Sequence, residues 1–279
     1  MAAPISVVIP ARNMCRYISE AILSVWAQTL SVLELIVIDD GSTDNTAREA
    51  EAVCRRLASG KQPGQHPVLL VFSQQHRGIS SARNLGIRVA SEPWIAFLDA
   101  DDVWTPQKIE LQWSMITRYP LTGVVSCRYQ QFKDGEQWQT SVLGGPARPS
   151  RPKSREFGRF LPRIGPDFFK SGFVPLPSTV IVRRDAIETT GGFDENLEAV
   201  EDYECIMRIL THHPLAIVER PLMGYRQHAT NTHRNLPLME KYMRRYCELV
   251  AANPQNYPPG AAEASLRGLE WVRTCYVLD

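Results

Sequence analysis

Long apolar runs are the first thing this sequence lacks. No stretch among its 279 residues approaches the ~20 apolar residues that cross a bilayer, and residues 1–10 have no basic region followed by the apolar stretch of a secretory leader. A cytoplasmic protein is expected. An excess of one charge is missing too: 31 basic against 30 acidic residues give a net charge of +1, and the arginines are scattered. That excludes the broad basic field on which nucleic-acid binding depends. The six cysteines, Cys15, Cys54, Cys127, Cys205, Cys247 and Cys275, form no Cys-x-x-Cys pair and no compact framework, so reduced thiols are expected. No Gly-x-Gly-x-x-Gly follows a strand, which argues against a dinucleotide-dependent dehydrogenase, and there is no internal repeat. What remains, 44% hydrophobic and 22% charged, is the composition of a packed globular protein long enough for one large domain or a domain with a small appendage.

Short β-branched runs alternate with helical patterns. Residues 5–9 and 33–38 read as buried strands. Between them Ile18, Ala21, Ile22, Val25 and Trp26 recur at helical spacing. A helix over 43–57, a strand over 68–72, a helix over 80–90, a strand over 94–98 and a helix over 106–119 continue the alternation. This predicts an α/β fold with a mainly parallel sheet covered by helices on both faces and a ligand site beyond the carboxyl ends of the strands. Strands are also predicted over 124–129, 178–182 and 215–218, and a helix over 202–210. The stretch 144–177, rich in proline, glycine and arginine, reads as a long loop insertion, and residues 236–279 as a helical C-terminal extension to a domain over 1–235. Phe157, Phe160, Leu161, Phe168, Phe169 and Phe173 make one segment both aromatic and basic. This leaves peripheral membrane contact open, although core packing is the commoner fate of such residues.

Acidic residues sit where two strands end: Asp39 and Asp40, then Asp99, Asp101 and Asp102. Carboxylates two apart on an extended chain project to one side. Several in one crevice call for a cation, and an all-oxygen set suits Mg²⁺ or Mn²⁺ shared with a substrate diphosphate. Solvated turns or helix caps are the plain alternative for a lone Asp-x-Asp; two clusters at two strand ends weigh against it. The segment His76-Arg77-Gly78 through Ser81, Arg83 and Asn84 to Gly86 is a helix entrance with backbone donors and two arginines, suited to an anion, where an arginine can grip a phosphate or the carboxylates that position the donor; an ordinary capped helix with surface arginines is the plain alternative. Asp202, following Glu201 in the first turn of a helix, is a candidate general base. Tyr225-Arg226-Gln227-His228 adds His228 as a metal-ligand candidate and Arg226 as a cation that offsets charge on a leaving group.

In combination these pieces resemble the inverting family 2 glycosyltransferases of the GT-A fold. The resemblance rests on Val7-Val-Ile-Pro10 with Asn13, Leu35-Ile-Val-Ile-Asp-Asp-Gly-Ser-Thr-Asp44, Arg77-Gly, Ala82-Arg-Asn-x-Gly86, Phe97-Leu-Asp-Ala-Asp-Asp102, Gly192-Phe-Asp-Glu195 and Glu201-Asp202. It implies a Rossmann-like GT-A sheet and a nucleotide-sugar site built from Pro10, Ala11, Asn13, Asp39, Asp40, Arg77, Arg83, Asn84, Asp99 and Ala100. Within that site the resemblance gives Asp40 the nucleobase, Asp99 the ribose side, Asp101 the divalent metal and Asp202 the base, with Glu201 and Arg226 on the acceptor or leaving-group side. Transfer of a sugar from a nucleotide-diphosphate donor, a UDP-sugar favoured, to a glycan, lipid-linked or small-molecule hydroxyl is the expected activity, in cell-envelope polysaccharide synthesis.

No Gln-x-x-Arg-Trp follows Asp202, which disfavours the processive synthases. A nucleotidyltransferase would carry a basic glycine-rich loop where Pro10-Ala-Arg-Asn13 stands. A non-catalytic sugar-nucleotide binder would not need Asp99, Asp101 and Asp202 together.

Overall fold

The computed structural model describes residues 2–59, 67–136, 138 and 158–278. Strand β1 (Ala3–Ala11) pairs in parallel with β2 (Val32–Asp40) and β4 (Trp94–Phe97), and β2 pairs in parallel with β3 (Val68–Gln74). The links between them are α1 (Ile18–Trp26), α2 (Thr46–Ala58) and α3 (Ile79–Val89), the βαβ alternation that the sequence predicts.

Beyond β4 the sheet becomes mixed. The two-residue β5 (Val103–Trp104) and helix α4 (Lys108–Arg118) lead to β6 (Val124–Lys133), β7 (Gly158–Leu161), helix α5 (Pro166–Lys170), β8 (Ile181–Arg183), α6 (Arg184–Thr189), α7 (Glu201–His212) and β9 (Leu215–Gln227). The order is β3-β2-β1-β4-β8-β6-β9-β5, with β7 on β9. Strand β8 runs antiparallel to β4 and β6, whereas β6 and β9 are parallel.

Two sequence expectations are adjusted here. The strand predicted over 178–182 begins only at Ile181, because Pro177–Thr179 forms a 3₁₀ turn. The short strand predicted over 215–218 continues through to Gln227, and that continuation carries Arg226 toward the site.

Alternation along the central strands separates two cores. Val8, Ile36 and Ile38 face α3 and α7 with Ala82, Ile206 and Ile209, whereas Val7, Ile9, Leu35 and Val37 face α1, α2 and α4 with Ile22, Val53 and Ile109. Helix α3 sits so close to β1 that a Cβ on Gly86 would collide with the Val8 side chain. Helices α8 (Leu236–Ala252) and α9 (Ala261–Leu278) form the C-terminal pair. Tyr242, Tyr246, Val250 and Tyr257 lie in the same buried cluster as Phe97 and Ile206, and the Tyr257 hydroxyl donates to Glu204 of α7 at 2.7 Å.

Of the stretch expected as one long loop, the described part forms β7 and α5; residues 144–157 lie outside the described residues, as do 60–66 of the loop before β3. Phe168 and Phe173 are buried and Phe160 stacks on Tyr119 at 4.6 Å, so these aromatics serve packing; Phe157 lies outside the described residues. All six cysteines are free. Among the described residues, no helix is long and apolar enough to cross a membrane.

Candidate functional site

The carboxyl ends of the parallel strands β2, β1 and β4 lie side by side. At the end of β1, Pro10 and Ala11 are buried and Asn13 adopts φ 55°. Asn13 Oδ1 accepts from the Thr43 amide at 2.8 Å and the Asn13 amide donates to Ser42 Oγ at 2.9 Å. Asn13 thus ties together the loops that follow β1 and β2, a left-handed position asparagine tolerates better than most residues.

Asp39 and Asp40 have different surroundings. Asp40 Oδ1 accepts from Gln74 Nε2 (2.8 Å) and the Arg77 amide (2.9 Å), while Oδ2 accepts from His76 Nδ1 (2.7 Å) and the Gly78 amide (2.9 Å). Its carboxylate therefore closes the turn that starts α3, and the acceptor capacity a nucleobase would need is taken. Asp39 is also buried, but among the described residues its Oδ1 has no hydrogen-bond partner and its Oδ2 has only a long contact from the Ser42 amide, 3.4 Å. An orphaned buried acceptor is costly unless a ligand satisfies it.

The loop after β4 carries Asp99, Ala100, Asp101 and Asp102. Ser178 supports it from below: the Asp99 amide donates to Ser178 Oγ at 3.0 Å and that hydroxyl donates to Asp102 Oδ2 at 2.6 Å. Burial and the neighbouring Asp101 and Asp99 push the Asp102 carboxyl well above the usual carboxylate range. Asp101, which projects from this support, meets His228: Asp101 Oδ2 and His228 Nε2 are 2.8 Å apart. The His228 ring is fixed by Thr230 Oγ1, 2.9 Å from Nδ1, and by stacking on Tyr17 at 5.2 Å. The two atoms contact each other directly; a carboxylate oxygen and an imidazole nitrogen are donors of a kind Mn²⁺ accepts, and among the described residues no group of three or more His, Cys, Asp or Glu side chains is placed to hold an ion by itself.

Of the two partners expected for an arginine at the helix entrance of α3, an anion or the carboxylates that position the donor, Arg83 takes the carboxylates. Arg83 is 1% exposed; its Nη2 binds Asp99 Oδ1 at 2.8 Å, its Nη1 binds Glu201 Oε1 at 2.7 Å, and its guanidinium lies 5.2 Å from the Phe193 ring centre. Both Nη atoms are paired, and Nε is buried with no hydrogen-bond partner among the described residues. Asn84 is likewise committed: its Oδ1 accepts from the Phe193 amide at 2.9 Å and its Nδ2 donates to the Phe193 carbonyl and Glu195. Arg226 is buried, its guanidinium 5.0 Å from Tyr17 and 4.6 Å from Phe132, its Nη2 on Glu20 and its Nε on the Asp101 carbonyl at 2.9 Å. That arrangement holds the Asp101 backbone from behind. Arg77 is exposed and pairs with Glu195 at 3.3 Å.

Asp202 is the second residue of α7, which follows Val200, a β-branched residue at φ 67°. Its Oδ1 accepts from the Tyr203 amide at 2.7 Å. Burial, then the adjacent Glu201 carboxylate, push its carboxyl up to about 7, against the opposing pull of Arg83. The structure thus brings Asp99, Asp101, Asp202 and His228 to the rim and places Arg83, Glu201 and Arg226 behind it. Ser178, Gln74 and Tyr17 were not singled out from the sequence. Only Ser178 left a trace there, as a hydroxyl directly after Pro177 at the start of an apolar run.

The profile described as Glycosyl transferase family 2 matches residues 6–190, and one described as Glycosyltransferase like family 2 matches 166–259. The chain belongs to glycosyl transferase family 2. Among its family 2 relatives, WfgD of Escherichia coli, a UDP-Glc:alpha-D-GlcNAc-diphosphoundecaprenol beta-1,3-glucosyltransferase, is 34% identical over 41% of this chain and 41% of its own length. The amylovoran biosynthesis glycosyltransferase AmsB of Erwinia amylovora is 28% identical over 79% of this chain and 68% of its own. Two relatives at 42% identity are matched over only 16% and 30% of their length. The mannosyltransferase PcManGT of Pyrobaculum calidifontis, in complex with GDP-Man and Mn²⁺, superposes with a TM-score of 0.64 at 18% identity, covering 98% of this chain and 74% of that one. The family 2 chain described here therefore has the GT-A fold.

Proposed function

We propose that this protein transfers a sugar from a nucleotide-diphosphate donor to an acceptor hydroxyl with inversion at the anomeric carbon, and that Asp202 is the general base. The observation that carries the reading is the carboxyl of Asp202, raised to about 7 at the rim of the crevice that holds Asp99 and Asp101. A base poised near the working pH combines a useful ionised fraction with real proton affinity.

Asp39 supplies the free acceptor for a ring N–H of the nucleobase, the part first expected of Asp40. Asp99, held by Arg83, faces the ribose, and Pro10, Ala11 and Ala100 form the apolar wall beside it. Asp101 and His228 would hold Mn²⁺ or Mg²⁺ together with the donor diphosphate, and an ion bound there would supply Lewis-acid stabilisation of the departing diphosphate. Asp202 takes the proton of the acceptor hydroxyl as its oxygen bonds to the anomeric carbon. The bond from that carbon to the diphosphate oxygen breaks, and the nucleoside diphosphate leaves from the opposite face. The acceptor in WfgD's name and AmsB's role in amylovoran biosynthesis support a glycan or a lipid-linked diphosphate glycan as acceptor, in envelope polysaccharide synthesis. WfgD's donor supports a UDP-sugar.

The test is Asp202→Asn, which keeps the size of the side chain and removes the base. Transfer is expected to fall by roughly 10²- to 10⁴-fold with donor affinity unchanged, and the wild-type product is expected to show inverted anomeric configuration by NMR coupling. Wild-type rates in the variant, or a retained configuration, would sink the assignment.

A further inference from the structure

We propose that Arg83 and Glu201 are positioning residues that set the proton affinity of Asp202, with Arg83 linking the donor loop to the helix of the base. This inference rests on the reading of Asp202 as base and extends it to the groups behind it. Arg83 reaches from α3 under the crevice and makes two charge-assisted contacts, one to Asp99 on the donor loop and one to Glu201 in the first turn of α7. Its burial behind the Phe193 ring excludes it from substrate. Asn84, one residue along α3, grips the same Phe193 backbone, and Gly192 at φ 74° leaves no room there for a Cβ beside Asn84 Oδ1. Helix α3 therefore fixes both the turn before α7 and the first carboxylate of α7.

The charges facing Asp202 come from four elements. Glu201 and Cys205 lie on α7 itself, Arg83 on α3, Asp99 on the loop after β4, and Tyr225 on β9. Among these, Arg83 is the cation. Glu201 and Asp99 favour the protonated base and Arg83 favours the ionised one, because a like charge nearby disfavours ionisation and an opposite charge promotes it. Glu201 and Arg83 thus pull Asp202 in opposite directions while bonded to each other.

The test is a pH titration of the full chain, metal-free, labelled with ¹³C at the aspartate carboxyls; the Asp202 resonance is the one missing from Asp202→Asn. Glu201→Gln keeps an acceptor for Arg83 Nη1 and removes the like charge, so the Asp202 midpoint is expected to fall by roughly half a unit or more. Arg83→Met is expected to raise it by a similar amount. An unmoved midpoint in Glu201→Gln, or shifts of the same sign in both variants, would overturn the proposal. Should Arg83→Met not fold, the downward shift in Glu201→Gln decides alone. Transfer by Asp202→Asn at the wild-type rate would remove the base reading without touching the titration. Loss of transfer in that variant with no midpoint shift in Glu201→Gln would remove only the role of the pair.

Discussion

Asp39 and Asp40 are neighbours on β2 with opposite surroundings: Asp40 accepts from Gln74, His76 and the amides of Arg77 and Gly78, whereas Asp39 Oδ1 is buried without a hydrogen-bond partner among the described residues. The pleat sends successive side chains to opposite faces, so one carboxylate closes the β3–α3 turn while the other is left to a ligand.

Substitution separates the two. Asp40→Ala leaves two amides and two side-chain donors without their acceptor, and a loss of about 2–4 kcal/mol in unfolding free energy is expected from several broken charged hydrogen bonds. Asp39→Ala is expected to hold or raise stability, because it removes an unpaired acceptor, and to weaken nucleoside diphosphate binding by about tenfold, the loss of one such bond. Chemical denaturation and calorimetric titration with UDP and GDP check both. A stable Asp40→Ala with weakened nucleotide binding would reverse the roles.

The sequence made this contrast invisible for a physical reason. Two adjacent aspartates at a strand end declare a polar strand terminus, but which one is satisfied depends on Gln74 and His76, more than thirty positions away. The same limit applies to Arg83 and Asn84. A helix entrance rich in arginine and asparagine suits an anion, yet both side chains are spent on Asp99, Glu201 and Phe193, contacts set only by how α3 docks on β1. Where local pattern and tertiary burial coincide, the chain was readable. The βαβ start, the acidic loop after β4 and the pair of carboxylates at the head of α7 all follow from apolar periodicity ending in carboxylates. The mixed half of the sheet was harder, because a three-residue β8 and a β9 that runs through Arg220 and Pro221 carry little strand pattern of their own.

Stability should depend on pH through Asp202. Its native carboxyl titrates at about 7 against a reference of 3.8. Between those values the native protein holds a proton that the unfolded chain has released, so unfolding there gives up a proton and rising pH favours the unfolded chain. This contribution is complete below 3.8 and is lost as pH rises through about 7. Glu34 and Asp44 act in the reverse sense. Burial opposes their ionisation, but hydrogen bonds from Ser6 and Ser91, and from Thr46 and Cys15, outweigh it and hold both below their usual values, so their contribution is lost as pH falls through those depressed values. The melting temperature of wild type is expected to fall relative to that of Asp202→Asn as pH rises from about 5 to about 8. Parallel curves would show that Asp202 titrates as an ordinary exposed carboxylate.

The measurement closest to the central claim is donor binding with and without Mn²⁺, by ligand-observed NMR against UDP- and GDP-sugars, for wild type, Asp101→Ala and His228→Ala. Asp101 and His228 lie 2.8 Å apart at the mouth of the crevice, so both are expected to be needed. Wild type should bind one donor at least tenfold more tightly with Mn²⁺, and each variant should lose that metal-dependent gain while keeping the weaker metal-free binding, roughly the cost of one missing ligand. Equal metal dependence in wild type and both variants would place the ion elsewhere and contradict the account of the site.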